Sequence, residues 1–376
     1  MDKIVSNIFI QSLRQAIGKN GKVEGEFSPE ALWNLASLHD LAHLVSVAFS
    51  SLGCQSKFGE YLDKFTSAQV KAVFRHVKIV KELGDMASAF EREGVDFIFL
   101  KGSKMRFFYP EPWMRTSSDI DLLVRGGFED KTKGVLLKLN YKYLGEWRYE
   151  RRYDTPSGVH IEVHTDLSEG EGVVDQKLKE VWNTAVVEDG YKHKYVMSDE
   201  FFRFYHVVHM AKHFSDGGCG VRPFIDLFVL KDRGENDDFY KMLEEVNLVK
   251  FYAGVKSLCD SWFGDGDCTE IDKMEEFVIR GGLFGTYENA VDVKGKKGKF
   301  RYLLGRAFPP FVNMKEMYPT LKKHKWLLPI FYVARWFKVL VKLIAGKARD
   351  ELKAVNNMDE KRVEDTQKLF DSLGLH

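Results

Sequence analysis

The chain has 376 residues, 44% of them hydrophobic, enough to bury a large core in two or three domains. Its formal net charge of +1 argues against binding polyanions over its whole surface, yet the charge is uneven. Between Lys294 and Lys347 there are 14 Lys and Arg against one acid, Glu316, so that segment carries +13 and the remainder −12.

Four cysteines, Cys54, Cys219, Cys259 and Cys268, form no C-x-x-C pair, which predicts reduced thiols in a cytoplasmic protein and no zinc knuckle. The first residues, "MDKIVSNIFIQSLRQ", lack a basic stretch followed by a long apolar core, so no signal peptide is expected. Residues 1–94 read as a helical region. "SPEALWNLASLHDLAHLVSVAF" opens with Ser28 as N-cap, Pro29 at the first helical position and Glu30 in the first turn. Leu32, Leu35, Ala36, Leu38 and Ala42 then recur near helical spacing, predicting one helix. A second runs from about Tyr61 to Glu93 and ends at Gly94, a residue suited to a C-cap.

At "VDFIFLKGS" the pattern becomes a continuous β-rich run broken at Gly102, and "KMRFFYP" reads as a short helix halted by Pro110. Gly102 and Ser103 thus lie between a buried strand and a helix, where backbone N–H groups, a hydroxyl and a helix N-terminus can converge on a phosphate; the same pair also suits an ordinary turn. Next comes "MRTSSDIDLLVRGG". Side chains alternate along a strand, so Asp119 and Asp121 share one face while Ile120 and Leu122 point to the other. Two such carboxylates repel, or one keeps a proton, unless a cation or several donors lie between them. Hard oxygen ligands suit Mg²⁺ or Mn²⁺, whereas an exposed strand end would merely solvate both acids.

"FEDKTKGVLLKLNY" reads as a helix, followed by strands in "YKYLGEWRYERRY" and "GVHIEVHTDL" around a turn at Pro156 to Gly158. Glu162 is another acid in an apolar strand, on the same face as His160 and His164, able to join the aspartates or to be half-buried in a salt bridge. Lys101, Lys104, Arg106 and Arg115 surround these acids in sequence. Arg115, whose fork matches phosphate oxygens bidentately, is the favoured phosphate contact among them, against a solvated surface or simple charge balance.

Helices dominate again from Ser198, first "SDEFFRFYHVVHMAKHF", then "VRPFIDLFVLKDRG". His206, His209 and His213 share overlapping faces of the first. A zinc site and a set of buried packing residues are both open readings, although no H-E-x-x-H supports zinc. "VKGKKGKF", 293–300, is the clearest linker. Beyond it, "KWLLPIFYVARWFKVLVKLIAGK" sets Ile330, Val333, Ala334, Phe337, Leu340, Val341 and Ile344 on one stripe, opposite Arg335, Lys338 and Lys342. It is too charged to span a membrane. It could pack on a core, or bind an anionic partner or a membrane surface through 326–345.

The ordered combination of strand, Gly-Ser, helix, D-x-D strand and a later acid-bearing strand resembles the nucleotidyltransferase superfamily typified by DNA polymerase β, with the pattern hG[GS], [DE]h[DE]h, h[DE]h. "FLKGSKMRFFYPEPWMRTSSDIDLLV" and "HMAKHFSDGGCGVRPFIDL" narrow the resemblance to a bacterial family of uncharacterised nucleotidyltransferases, over roughly residues 95–230, and "FPPFVNMKEMYP" is similar to that family too. The resemblance implies an α+β fold in which a polymerase β-like core, a short mixed sheet with flanking helices, is framed by N- and C-terminal helical regions. The expected divisions are 1–94, 95–190 for the catalytic core, 191–292 and a basic 293–376.

By the same resemblance, Asp119 and Asp121 hold two Mg²⁺ or Mn²⁺ ions, Glu162 completes the second ion's site and helps activate the acceptor, and Gly102 and Ser103 bind the triphosphate of an NTP. Positions matching His209, His213, Arg222 and Asp226 recur in that family, so these residues, with His164, are expected to support the site or bind substrate. The acceptor is open: a small molecule, a glycan precursor, a protein or a nucleic-acid end. A D-x-D glycosyltransferase using a nucleotide sugar is the rival enzyme, disfavoured because helices rather than a Rossmann-like region precede the motif, and a non-catalytic nucleotide- or partner-binding protein is the third reading.

Overall fold

A computed structural model describes residues 2–18, 23–147, 150–168, 170–231, 233–264, 272–283, 285–295, 298–344 and 349–375. The chain divides into two compact units, Met1–Met210 with Val221–Glu270, and Ala211–Gly220 with Ile271–His376. The architecture is mixed, helix-rich α+β.

In the first unit, helices Lys3–Ala16, Pro29–Leu38, Ala42–Ser51 and Leu62–Glu93 precede the sheet. Ser28 caps its helix as expected, its hydroxyl accepting from the Ala31 N–H, and Gly94 closes the long helix with φ +65°. The single helix predicted from Ser28 is in fact two. Asp40 takes φ +51° between them, freeing its carboxylate to receive Arg75 at 3.1 Å and Arg222 at 2.8 Å. Long-range ion pairs thus override a local periodicity that runs straight through the break.

The sheet has seven strands: β1 Phe97–Phe99, β2 Asp119–Val124, β3 Lys142–Trp147, β4 Glu150–Asp154, β5 His160–His164, β6 Val186–Val187 and β7 Lys194–Val196. Their order is β3-β4-β5-β2-β1-β7-β6, with β2 parallel to β5, β1 parallel to β7 and the other neighbours antiparallel. The segment read as one strand before Pro156 is the hairpin β3–β4, and β6 and β7 extend the sheet past the expected strands.

Alternation along β2 divides the sheet. Ile120, Leu122 and Val124 join Phe97, Phe99, Ile161 and Val163 in a core covered by Ile79, Leu83, Met86 and Phe90 of the long helix and by Val135 and Leu136 of helix Glu129–Lys138. Each fully buried side chain of this size contributes about 1.5–3 kcal/mol. The opposite face is left for Asp119 and Asp121.

Helices Asp199–Asp216, Arg222–Leu230, Asp237–Glu245 and Val249–Phe263 follow the sheet, and the first of them is divided between the two units. In the second unit, buried Asp292 of helix Tyr287–Lys294 accepts from Arg280 and Arg362, and Val291 packs with Ala354 and Val355. The predicted linker 293–300 overlaps the ends of helices Tyr287–Lys294 and Lys299–Ala307, and its residues 296–297 lie outside the described residues. The basic amphipathic segment forms helix Leu328–Ile344; the Leu340, Val341, Lys342 and Ile344 side chains lie outside the described residues. Among the described residues no helix is long and apolar enough to cross a membrane.

Candidate active site

Strands β2 and β5 run parallel with Asp119 beside His160, Asp121 beside Glu162 and Leu123 beside His164, so two alternating polar rows fall on one face of the sheet. Asp121, Glu162 and His164 converge there, each offering a ligand atom within 4.8 Å of the others'. Among the described residues this is the group of three or more His, Cys, Asp or Glu close enough to share an ion. The expected trio was Asp119, Asp121 and Glu162. Asp119 shares the face but stands outside this group, and His164 takes the third place. Two carboxylates and an imidazole so close together have the chemistry to hold a divalent cation.

The charges around it are unequally satisfied. Asp121 is buried, which alone would raise its pKa, but Lys101 Nζ at 3.0 Å and His164 Nε2 at 3.3 Å hold its carboxyl well below the usual carboxylate range. Asp119 is pushed up by burial and by Asp121, and Glu162 by burial and by Asp121, Glu150 and Asp119. Arg152 Nε lies 3.8 Å from Glu162 and His160 Nε2 3.7 Å from it, contacts that leave its pKa still raised. Lys101 meets Asp121 directly, and the two acids beside it, Asp119 and Glu162, favour a proton or a metal ion over bare charge.

Lys101 starts the turn out of β1 with φ +42°, a left-handed backbone uncommon for a residue with a side chain. Burial works against its charge, but Tyr205 and Asp121 push its pKa up, so it stays an ammonium. At Gly102 a Cβ would meet Arg115 Nη1 and Ser117 Cβ at 3.4 Å, so a larger residue would crowd the turn. Ser103 is buried, and its Oγ has no hydrogen-bond partner among the described residues. Arg106, also buried, props the turn from beneath: its Nε donates to the Gly102 carbonyl at 3.0 Å and its Nη2 to Ser117 Oγ at 2.6 Å. Burial and the neighbouring Arg115 lower its pKa to about 10. Lys104 lies 5.2 Å over the Phe202 ring, with Asp199 and Glu188 among its charged neighbours.

Helix Arg222–Leu230 grips the approach to β2. Asp226 binds Arg115 bidentately, accepting from Nε at 2.7 Å and Nη2 at 2.9 Å, and it also accepts from the Tyr109 hydroxyl at 2.7 Å. One turn earlier, Arg222 Nη2 donates to Thr116 Oγ1 at 3.1 Å and to Asp40 at 2.8 Å. Thr116 also lines a cavity of about 160 Å³ with Trp33, His43, Lys64, Lys71 and Arg75. The Arg115 fork that the sequence offers to phosphate is thus engaged by Asp226 and, through Nη1, by the Thr116 carbonyl at 2.6 Å. Sequence reasoning missed Asp40 and His43, which reach this segment from more than 70 residues away, and nearby Tyr109, whose hydroxyl bonds to Asp226 117 residues on.

His206 Nε2 lies 3.0 Å from the Pro223 carbonyl, and its buried ring has a lowered pKa, which fits packing. His209 is tilted against Tyr205, ring centres 6.4 Å apart, in the first unit, and His213 belongs to the second. Among the described residues the three belong to no group able to share a metal ion.

A family model described as uncharacterised nucleotidyltransferase matches residues 25–264, from before helix Pro29–Leu38 through the whole sheet to the end of helix Val249–Phe263. No curated protein and no solved structure matches the chain.

Proposed function

We propose, because the chain belongs to the uncharacterised nucleotidyltransferase family, that it moves a nucleoside monophosphate from an NTP to an acceptor with release of pyrophosphate. The observation that carries this reading is the convergence of Asp121, Glu162 and His164 on one sheet face beside the Lys101–Ser103 turn. Asp121 and Glu162, with His164 and the neighbouring Asp119, would hold Mg²⁺ or Mn²⁺, two ions in the fullest form of the site. When bound, these ions neutralise the triphosphate and polarise the reacting oxygens.

The chain's own groups then have distinct tasks. The Ser103 hydroxyl, unpartnered among the described residues, and the Gly102 backbone receive a phosphate. Lys101 keeps Asp121 ionised as a ligand and adds positive charge beside the triphosphate. Arg115, fixed by Asp226, lends its charge to the turn and steadies β2. Glu162, with its raised pKa, takes the acceptor's proton. The acceptor oxygen bonds to the α-phosphorus as the bond to the pyrophosphate oxygen breaks, and the chain forms no covalent intermediate. Arg222 and Asp226 act as positioning residues for the segment before β2.

Isothermal titration of the four NTPs, with and without Mg²⁺ or Mn²⁺, tests the reading against an Asp119→Asn, Asp121→Asn double variant. Metal-dependent binding of an NTP by the wild type, lost in the folded variant, is expected. Binding of nucleotide sugars in place of every NTP would transfer the site to the glycosyltransferase reading, and equal NTP binding by the variant would remove the acids from it.

A further inference from the structure

The second unit carries a surface unrelated to the acids. Helix Leu328–Ile344 packs one side on the preceding chain. Phe331 lies on Tyr318 with ring centres 4.6 Å apart, Trp336 meets Phe308 at 5.1 Å, and the Trp336 Nε1–H and the Tyr332 hydroxyl donate to the Ala307 and Pro309 carbonyls, each at 2.7 Å. That side of the helix has its partner. Ile330, Val333 and Phe337, together with Trp326 just before the helix, follow at spacings of four, three and four residues, within about 60° of one another at 3.6 residues per turn. They are 59%, 60%, 67% and 73% exposed. Val312 and Met317 on helix Phe311–Met317 are exposed as well, in the same strongly basic segment. Lys322, Lys323, Lys325 and Lys338, all exposed, flank the stripe.

We infer that this face binds an anionic lipid surface, with helix Leu328–Ile344 lying in the plane of the headgroups, the Trp326, Ile330, Val333 and Phe337 side chains entering the acyl boundary and the lysines meeting lipid phosphates. Single exposed apolar residues need no explanation, but a regular stripe of large ones flanked by exposed lysines does. The charge chooses the occupant. The Lys294–Lys347 segment carries +13, so a second copy of this chain docking stripe to stripe would bring two such fields together. A polynucleotide would satisfy the lysines but leave Ile330, Val333 and Phe337 in water, since it offers phosphates and base faces rather than an apolar phase. An anionic bilayer satisfies both halves at once.

The test is sedimentation of the full chain with vesicles of phosphatidylcholine alone and of phosphatidylcholine containing phosphatidylglycerol, at low and high salt. Binding to the anionic vesicles, weakened by salt, is expected, with a blue shift in tryptophan emission. Phe337→Glu should reduce partitioning by about tenfold or more, since a Phe side chain leaves the lipid and a repelled charge replaces it. Because Phe337 projects from the surface, the melting temperature should not move, and a Lys322→Glu, Lys323→Glu double variant gives a second, purely electrostatic loss. Failure to bind anionic vesicles, equal binding to neutral ones, or unchanged partitioning of Phe337→Glu overturns the inference. So does a concentration-dependent dimer abolished by Phe337→Glu, which would make the second copy the occupant. None of these outcomes depends on NTP binding or turnover.

Discussion

Two groups of buried charge lie a few residues apart in the first unit, and they are built on opposite plans. Around Arg115 and Thr116 the charges are closed: Asp226 receives a bidentate guanidinium and a tyrosine hydroxyl, and Asp40 receives Arg222 and Arg75. On the face of β2 and β5 they are open: Lys101 and His164 serve Asp121, while Asp119 and Glu162 are left with raised pKa values. Titration follows the plan. Burial pushes up every one of these acids, but Arg115 outweighs it at Asp226 and leaves that carboxyl lowered, whereas at Asp119 and Glu162 nothing does and they stay raised. A charge that finishes its pairing inside the chain serves to hold the chain, and one left under-compensated is ready to bind something from outside.

Breaking a closed pair should give the largest stability effect. Asp226→Ala leaves the Arg115 guanidinium buried without its counter-ion, at a cost of about 3–5 kcal/mol. Asp119→Asn on the open side removes a carboxylate repelled by its neighbour, so denaturant unfolding should show stability unchanged or raised. Chemical denaturation of the two variants beside wild type measures the contrast directly. A large loss in Asp119→Asn, or none in Asp226→Ala, would erase the distinction.

The closed group also predicts an acid limit. His43 is buried with Nε2 2.7 Å from the Met114 carbonyl, which requires a proton on that nitrogen to donate. Burial and the nearby Arg222 lower its pKa to about 4, although Met114 and Asp40 oppose the shift. The unfolded chain takes up a proton near pH 6.5 that the fold refuses until about pH 4. The stabilisation is therefore complete above pH 6.5 and is lost as pH falls through that window, by up to about 3 kcal/mol. Urea unfolding across pH 4–7 should show this slope in wild type and its loss in His43→Gln; the same slope in both would assign acid sensitivity to other groups.

What the sequence makes legible is what repeats locally. Strand alternation is enough to place Asp119, Asp121 and Glu162 on polar faces and to commit Ile120 and Leu122 to a core. The Gly94 cap and the Ser28 cap are equally local. The membership of His164 depends on the register of β5 against β2, a pairing between residues about 40 apart that no period encodes. The break at Asp40 depends on Arg222, 182 residues away, and the occupation of Arg115 on Asp226, 111 residues away. Strands β6 and β7, of two and three residues, are too short to show a period at all. For helix Leu328–Ile344 the apolar stripe was readable, but its exposure was not, because a buried and an exposed stripe have the same spacing.

Ser103 gives the smallest and most discriminating expectation. Its hydroxyl is buried without a partner among the described residues, so within the free protein it costs desolvation and returns no bond. Ser103→Ala removes that cost and should leave the melting temperature unchanged or slightly raised. If the hydroxyl meets a phosphate in the complex, the variant forfeits a hydrogen bond to a charged group, about 1.5–3 kcal/mol, or roughly ten- to a hundredfold in Kd for the NTP. The two readouts move independently. A fall in stability with unchanged affinity would make Ser103 a packing residue whose partner forms in the folded chain, and a fall in affinity alone would extend the open plan from the acids of β2 to the turn that precedes them.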